Sequence, residues 1–176
     1  MESGKTLVAR TQRIFLALWP DEGVREQLAA HADQWRWPAA CVRYEPADWH
    51  VTLHFIGDVA IENVDVIAAC AEVPFAPFEL VLDQPRLWAG GLAVLSAPEV
   101  PMALKRLHER LEQALGALEL ARDTRPYMPH VTLARHAEAA RVPVACAPVY
   151  WPVQGFALVV STGRSAPRYL VLRHYG

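Results

Sequence analysis

The stretch His50-Val51-Thr52-Leu53 returns unchanged 80 residues later as His130-Val131-Thr132-Leu133. The two copies lie on either side of the midpoint of the 176-residue chain. In a β-strand, successive side chains point to opposite faces, so each histidine shares a face with its threonine. Each copy therefore predicts an imidazole and a hydroxyl about 6.6 Å apart along one face of a strand, with the valine and leucine anchoring the other face.

This set of groups suits phosphodiester chemistry. In-line displacement at phosphorus needs a base at the attacking oxygen and an acid at the leaving oxygen, and histidine can take either role near neutral pH. If a pseudo-twofold axis relates the two strands, both imidazoles and both hydroxyls converge on one cleft. Thr52 and Thr132 would then donate hydrogen bonds to the non-bridging phosphate oxygens. Neither a metal nor another cofactor is required.

The segments around the motifs predict an α+β domain with antiparallel sheets, because strands and helices do not alternate regularly. Strands are expected at residues 13–19, 42–45, 49–56, 78–82, 92–95, 130–134, 156–161 and 169–173. Helices are expected from Asp21 to Trp35, over residues 61–70, and over residues 102–118, where leucines form a stripe. Gly57-Asp58 is expected to end the first motif strand, and segments 78–82 and 92–95 to form a hairpin.

Composition restricts the class of protein. An apolar fraction of 53% allows a single core without disulfides or metals. The net charge of -2 argues against a broad surface for long nucleic acid, so such a substrate would enter as a short end or a nucleotide.

The three cysteines lack metal-site spacing, and no segment resembles a signal peptide or membrane span. We expect a cytoplasmic monomer, with residues 1–12 as a flexible leader and residues 13–176 as one domain.

The other histidines have less specific contexts. Isolated histidines are usually satisfied by their neighbours, and this structural interpretation applies to His31, His108 and His174. His54 either rims the cleft beside His50 or faces solvent, and His136 is expected in a surface loop. The His50-x-x-x-His54 spacing also occurs in zinc-binding helices, but the surrounding β-branched and aromatic residues favour a strand, and the HExxH glutamate is missing. No metal ligand is therefore assigned.

Two arginines lie near the second motif. Arg135 either holds a phosphate or pairs with a carboxylate, and the same alternatives apply to Arg125. Arg135 is the candidate substrate ligand, together with Thr52 and Thr132. Six tryptophans are present, and the sequence does not indicate which, if any, stacks a base.

Several segments also carry a resemblance to a known family. Residues 13–18 look like the first strand of that family, and residues 50–58 look like its first motif. Residues 125–135 look like its second motif, which follows an Arg-Pro-aromatic sequence. Ser161 and Tyr169 fall where the closing hairpin usually has Ser and Tyr. On these residues the chain resembles the two-histidine (2H) phosphoesterase superfamily, in particular the bacterial RNA 2',3'-cyclic phosphodiesterases once called 2'-5' RNA ligases. Residues 86–95 match only loosely and leave the substrate range open.

The resemblance implies a bilobal, pseudo-twofold (LigT-like) fold, with two antiparallel sheets flanking a cleft, helices outside and one motif per lobe. It implies metal-independent hydrolysis of RNA 2',3'-cyclic phosphate ends, or of nucleotides bearing this group, to 2'-phosphomonoesters. His50 would be the proton donor to the departing 3' oxygen, and His130 the proton acceptor that activates water.

Two other functions are compatible with the same residues. Reversible 2'-5' RNA joining uses the same groups in the opposite direction. A non-catalytic module that binds nucleotides or RNA ends would keep the fold, although the intact histidines and threonines argue against it.

Overall fold

The computed structural model describes residues 10–120 and 125–176, which contain ten strands and three α-helices. The strands are β1 (Thr11–Leu18), β2 (Val42–Arg43), β3 (Val51–Ala60), β4 (Phe78–Leu82), β5 (Gln84–Trp88), β6 (Leu92–Ser96), β7 (His130–Arg135), β8 (Val149–Val153), β9 (Phe156–Ser161) and β10 (Tyr169–Tyr175). The helices are α1 (Glu22–Ala32), α2 (Val64–Cys70) and α3 (Met102–Gly116).

The strands form two antiparallel sheets, which confirms the α+β class. The large sheet has the order β10-β9-β1-β3-β7-β6-β5, with β2 pairing along β7, and the small sheet consists of β4 and β8. No helix in the described ranges is long and apolar enough to cross a membrane.

The two motif strands are neighbours in the middle of the large sheet. β3 and β7 run antiparallel and pair only at Val51 and Val131, the residues that follow the two histidines. On its other side β3 pairs with β1, and β7 pairs with β6. Each half of the sheet therefore contributes one motif strand, in the related orientation that a pseudo-twofold arrangement requires.

Strand β1 is buried on both faces, as its continuous apolar run predicts. Ile14, Leu16 and Leu18 join the main core, which also receives the leucine stripe of α3. The opposite face of β1 forms a second, small apolar cluster of Phe15, Ala17, Ala157 and Val159. This cluster, against which Trp19 and Tyr169 pack, lies beside the first histidine motif.

Helix α1 begins at the expected cap but ends earlier than the sequence predicted. The Asp21 side chain accepts a hydrogen bond of 2.9 Å from the Val24 N–H. The helix ends at Ala32, and the amides of Gln34 and Trp35 donate to carbonyls three residues back, in a tighter turn than an α-helix.

The prediction that Gly57-Asp58 ends the first motif strand is wrong. Strand β3 continues to Ala60, and its register with β1 shifts between the pairs Ile14–Gly57 and Phe15–Phe55. Gly57 has a φ of +92°, which a residue with a side chain rarely adopts. A glycine in this conformation lets the strand pass through a β-bulge instead of stopping.

The predicted hairpin of segments 78–82 and 92–95 is also wrong. β4 pairs with the distant β8, whereas β6 forms a hairpin with β5, a strand the sequence did not reveal. At the amino terminus, Thr11 and Gln12 pair with β3 and so belong to the domain, not to the expected leader. Residues 1–9 of that leader lie outside the described residues.

Candidate active site

The two motif histidines are anchored in the same way. The Nδ1 of His50 lies 2.7 Å from the carbonyl oxygen of Asp48, and the Nδ1 of His130 lies 2.7 Å from that of Met128. A carbonyl oxygen only accepts hydrogen bonds, so Nδ1 must carry the hydrogen in both rings. Nε2 is therefore the atom of each ring that is left to exchange a proton.

His50 is surrounded by three aromatic rings, two from β1 and the residue that follows it and one from β10. Its ring centroid lies 4.9 Å from Phe15, 5.7 Å from Trp19 and 5.2 Å from Tyr169. Burial among these rings is the main reason that the pKa of His50 falls to about 4, and repulsion from His130 lowers it further. In the free protein near neutral pH, His50 is therefore a neutral imidazole.

His130 lies against a different ring. Its centroid is 4.4 Å from that of Trp88 on β5. Burial lowers the pKa of His130, the hydrogen bond to Met128 opposes this shift, and the positive charge of Arg125 adds to it. The two histidines are thus neutral bases in unlike surroundings, although their backbone anchors match.

Two adjoining cavities receive the motif side chains. The first, of about 470 Å³, is lined by His50, Thr52, Thr132 and Arg135. The second, of about 560 Å³, is lined by His130 and also by Thr52. Thr52 and Phe55 belong to both cavities and form the wall that they share. The structure thus gathers the five site residues named from the sequence around one divided cleft.

The first cavity is strongly cationic. Its lining includes a single carboxylate, Asp48, and four guanidinium groups, those of Arg13, Arg135, Arg164 and Arg168. Four such groups suit a bound phosphate, because guanidinium matches phosphate oxygens in charge and geometry.

Tyr44 and Asp48 position two of these arginines. The guanidinium carbons of Arg135 and Arg168 lie 5.4 and 4.7 Å from the centroid of the Tyr44 ring. The carboxylate of Asp48 lies 3.5 Å from Nε of Arg168, while its backbone carbonyl anchors His50. A single residue thus connects an arginine of the cavity to a motif histidine.

The sequence interpretation missed Tyr44, Asp48, Arg164 and Arg168. The last two lie in the loop between β9 and β10, so the resemblance of the closing hairpin was the available signal. Tyr44 and Asp48 lie just before the first motif, where nothing in the pattern distinguished them from other turn residues.

A stack of three rings forms the far wall of the second cavity. The ring of His108 lies 4.1 Å from His54 on one side and 4.1 Å from Tyr127 on the other. The Tyr127 hydroxyl donates to the backbone carbonyl of Thr52 at 3.2 Å. Of the two alternatives for His54, the cleft rim fits better than solvent, and His108 also reaches the cavity.

Of the remaining histidines, His31 is structural and His136 lies at the surface, as expected, whereas His174 was expected to be structural and is exposed. His31 is buried in α1, where its Nε2 accepts a 3.1 Å hydrogen bond from Trp35. His136 and His174 are exposed. Within residues 10–120 and 125–176, no group of three or more His, Cys, Asp or Glu side chains is arranged to hold a metal ion.

The fold and the paired motifs together define a two-histidine phosphoesterase class of protein, and the family comparison agrees. The model of the 2'-5' RNA ligase superfamily matches residues 24–163, so the chain belongs to this superfamily and the resemblance inferred from the motifs is confirmed.

Individual relatives cover nearly the whole chain. An RNA 2',3'-cyclic phosphodiesterase of Thermus thermophilus is 32% identical over 93% of this chain and 89% of its own length. One of Escherichia coli is 30% identical, with coverages of 96% and 98%. The crystal structure of E. coli LigT complexed with 3'-AMP superposes with a TM-score of 0.84 at 27% identity, covering 94% of this chain and 97% of that one.

Proposed function

We propose that the protein hydrolyses RNA 2',3'-cyclic phosphate ends to 2'-phosphomonoesters by metal-independent acid/base catalysis. The observation that carries this proposal is the matched anchoring of His50 and His130, which leaves one proton-exchanging nitrogen on each ring, with His50 in the cationic cavity and His130 in the cavity that adjoins it. The names of the Thermus thermophilus and Escherichia coli relatives support this substrate.

In this mechanism His130 is the proton acceptor and His50 the proton donor. Nε2 of His130 removes a proton from water as the water oxygen attacks phosphorus, and Nε2 of His50 protonates the departing 3' oxygen. The bond between phosphorus and the 3' oxygen breaks, and the phosphate stays on the 2' oxygen. Thr52, Thr132 and Arg135 stabilise the negative charge on the non-bridging oxygens.

Substrate binding must change the protonation of His50 before this reaction can occur. The donor has to carry two protons, but the free protein keeps the pKa of His50 at about 4. An anionic phosphate close to the ring favours the imidazolium form and raises this pKa. The anion thus supplies the opposite charge that Phe15, Trp19 and Tyr169 cannot provide, and protonation of the donor becomes coupled to binding.

The decisive experiment is an assay with an oligonucleotide that ends in a 2',3'-cyclic phosphate, in the presence of EDTA. We expect full turnover to a 2'-phosphomonoester, because the proposed charge stabilisation comes from side chains. Loss of turnover in EDTA and its recovery with zinc or manganese would disprove the mechanism. Including a 5'-hydroxyl RNA measures 2'-5' joining against hydrolysis, and binding without any turnover would identify a non-catalytic module.

The pH profile of the rate tests the two roles. With one histidine acting as base and one as acid, the profile should be bell-shaped, with flanks that belong to the coupled pair. Residual activity of His130→Ala should lack most of the acidic flank, and that of His50→Ala most of the basic flank. The opposite assignment of flanks would exchange the two roles.

The proposal includes a cytoplasmic monomer made of one bilobal domain. The three cysteines, Cys41, Cys70 and Cys146, are unpaired, as expected in a reducing compartment. Light scattering should give the mass of a single chain, and fractionation should place the protein in the cytosol. A stable dimer or a secreted protein would contradict these two points.

A further inference from the structure

The cationic cavity continues beyond the catalytic centre. A third cavity, of about 610 Å³, lies next to the first and shares Arg13, Ser161, Gly163 and Arg164 with it. The motif histidines do not line the third cavity. A groove therefore leads from His50 across the base of the β9–β10 loop to the outer edge of the sheet.

The groove carries cationic groups beyond those at its catalytic end, and one carboxylate, that of Asp58, lines its outer part. Arg135 and Arg168 already serve the catalytic end, where both lie over Tyr44. At the far end, Arg13 is held by Asp58 in a two-pronged ion pair, with distances of 3.2 and 2.9 Å. Among the described residues no carboxylate pairs with Arg164. Within the part of the chain that the structure describes, Arg164 is thus a cation without a carboxylate partner on the wall between the two cavities.

The loop that carries Arg164 has a defined conformation. The Thr162 amide donates to the carbonyl of Arg168 at 2.9 Å, and the Thr162 hydroxyl accepts a 3.1 Å hydrogen bond from the Arg164 amide. Gly163, with a φ of +71°, makes the turn between them. Arg164 is therefore placed at the shared wall by the fold of the loop.

The outer cavity also offers apolar surface. Pro167 and the exposed Leu170 line it together with Arg164 and Arg13. Proteins that bind single-stranded nucleic acid combine positive charge along the backbone with surface that contacts the bases, most often aromatic; here Pro167 and Leu170 provide aliphatic surface in that place.

From these observations we infer that Arg164 forms a second phosphate subsite for the phosphodiester that precedes the terminal cyclic phosphate. The preferred substrate is then a short RNA strand and not a free cyclic mononucleotide. This inference rests on the proposed function and specifies its substrate class. A single strand uses both cavities, whereas a mononucleotide has no second phosphodiester to place in the outer one.

The test compares two substrates with the same terminal nucleoside, a trinucleotide ending in a 2',3'-cyclic phosphate and the corresponding nucleoside 2',3'-cyclic phosphate. Arg164→Gln should lower kcat/KM for the trinucleotide about tenfold more than it lowers kcat/KM for the mononucleotide. The slope of log kcat/KM against log salt for the trinucleotide should become shallower by about 0.7, the value for one phosphate contact on a single strand. Arg106→Gln, on the exposed face of α3, is the matched control and should leave kcat/KM unchanged for both substrates.

Equal loss with both substrates, or no loss with either, would overturn the subsite. A second readout keeps this result separate from the proposed function. Fluorescence anisotropy with a labelled trinucleotide 2'-phosphate measures binding without turnover, and Arg164→Gln should weaken it about tenfold relative to Arg106→Gln. If neither cyclic substrate is hydrolysed, the proposed function fails, and the anisotropy comparison still decides whether the subsite exists.

Discussion

At the scale of single residues, a hydrogen bond to the backbone fixes the tautomer of each motif histidine. Imidazole has two nitrogens that can exchange roles, and a ring without a fixed partner would divide its population between tautomers. The carbonyls of Asp48 and Met128 remove this choice, because each holds the hydrogen on Nδ1. Both partners lie two residues before their histidine, so the same local turn is used twice.

Removing either imidazole should abolish most of the activity without unfolding the protein. His50→Ala and His130→Ala should each lower kcat for the cyclic substrate by about 10²–10⁴-fold, the usual contribution of one acid or base. Circular dichroism should show native secondary structure in both variants. His174→Ala, which removes an exposed imidazole outside the cleft, is the matched control and should retain full activity. Unfolding of either motif variant at room temperature would instead indicate a structural role.

The sequence predicted the residues whose chemistry and position are both local. His50 with Thr52 and His130 with Thr132 follow from strand alternation within one tetrapeptide, and the structure places all four at the cleft. Arg168 was missed because its position at the cleft depends on its contact with Asp48. Asp48 is 120 positions away in the sequence and reaches Arg168 only after the sheet has formed. A contact of this kind leaves no periodic signal.

At the scale of secondary structure elements, a continuous apolar run was enough to predict a strand, but the sequence did not indicate which strands pair with each other. β1 and β9 were predicted from their apolar runs, and the structure buries residues 14–18 and 156–160 of these strands. β5 and β8 were missed, since each contains a proline, Pro85 or Pro152, that weighs against a strand. The false hairpin arose because β4 pairs with β8, about 70 residues further along the chain.

The bulge in β3 gives a prediction for this element. Gly57→Ala should lower the free energy of unfolding by roughly 1–3 kcal/mol, because a side chain is strained at a φ of +92°. An added methyl group meets only Phe55 at an ordinary 3.6 Å, so the cost comes from the backbone. Urea unfolding measures the loss. Gly23→Ala in α1 is the matched control and should be neutral or stabilising by up to about 1 kcal/mol. Equal effects of the two substitutions would refute this account of the bulge.

At the scale of the whole molecule, the strand order could not be obtained from the sequence. The large sheet joins strands from both ends of the chain to the two motif strands at its centre, so most neighbours in space are distant in sequence. The repeated tetrapeptide did indicate that two related strands face one cleft. It did not indicate that they pair through Val51 and Val131 in a single sheet.

The whole molecule also concentrates neutral histidines in its interior. Burial lowers the pKa of five side chains, those of His31, His50, His54, His108 and His130. In the unfolded chain each of these groups titrates near 6.5. Below that pH the unfolded state binds more protons than the folded state, so acidification favours unfolding.

The free energy of unfolding should therefore be highest above about pH 6.5 and should decline as the pH falls from about 6.5 toward 4. For His50 alone, whose pKa is about 4 in the folded protein, the loss between pH 7 and pH 5 is roughly 2 kcal/mol. Urea unfolding at the two pH values measures the total, and His108→Asn should reduce the pH dependence because one fewer depressed histidine remains. A free energy of unfolding that is the same at pH 7 and pH 5 would mean that these imidazoles titrate normally in the folded protein, and that the cleft does not hold its catalytic pair in the neutral form.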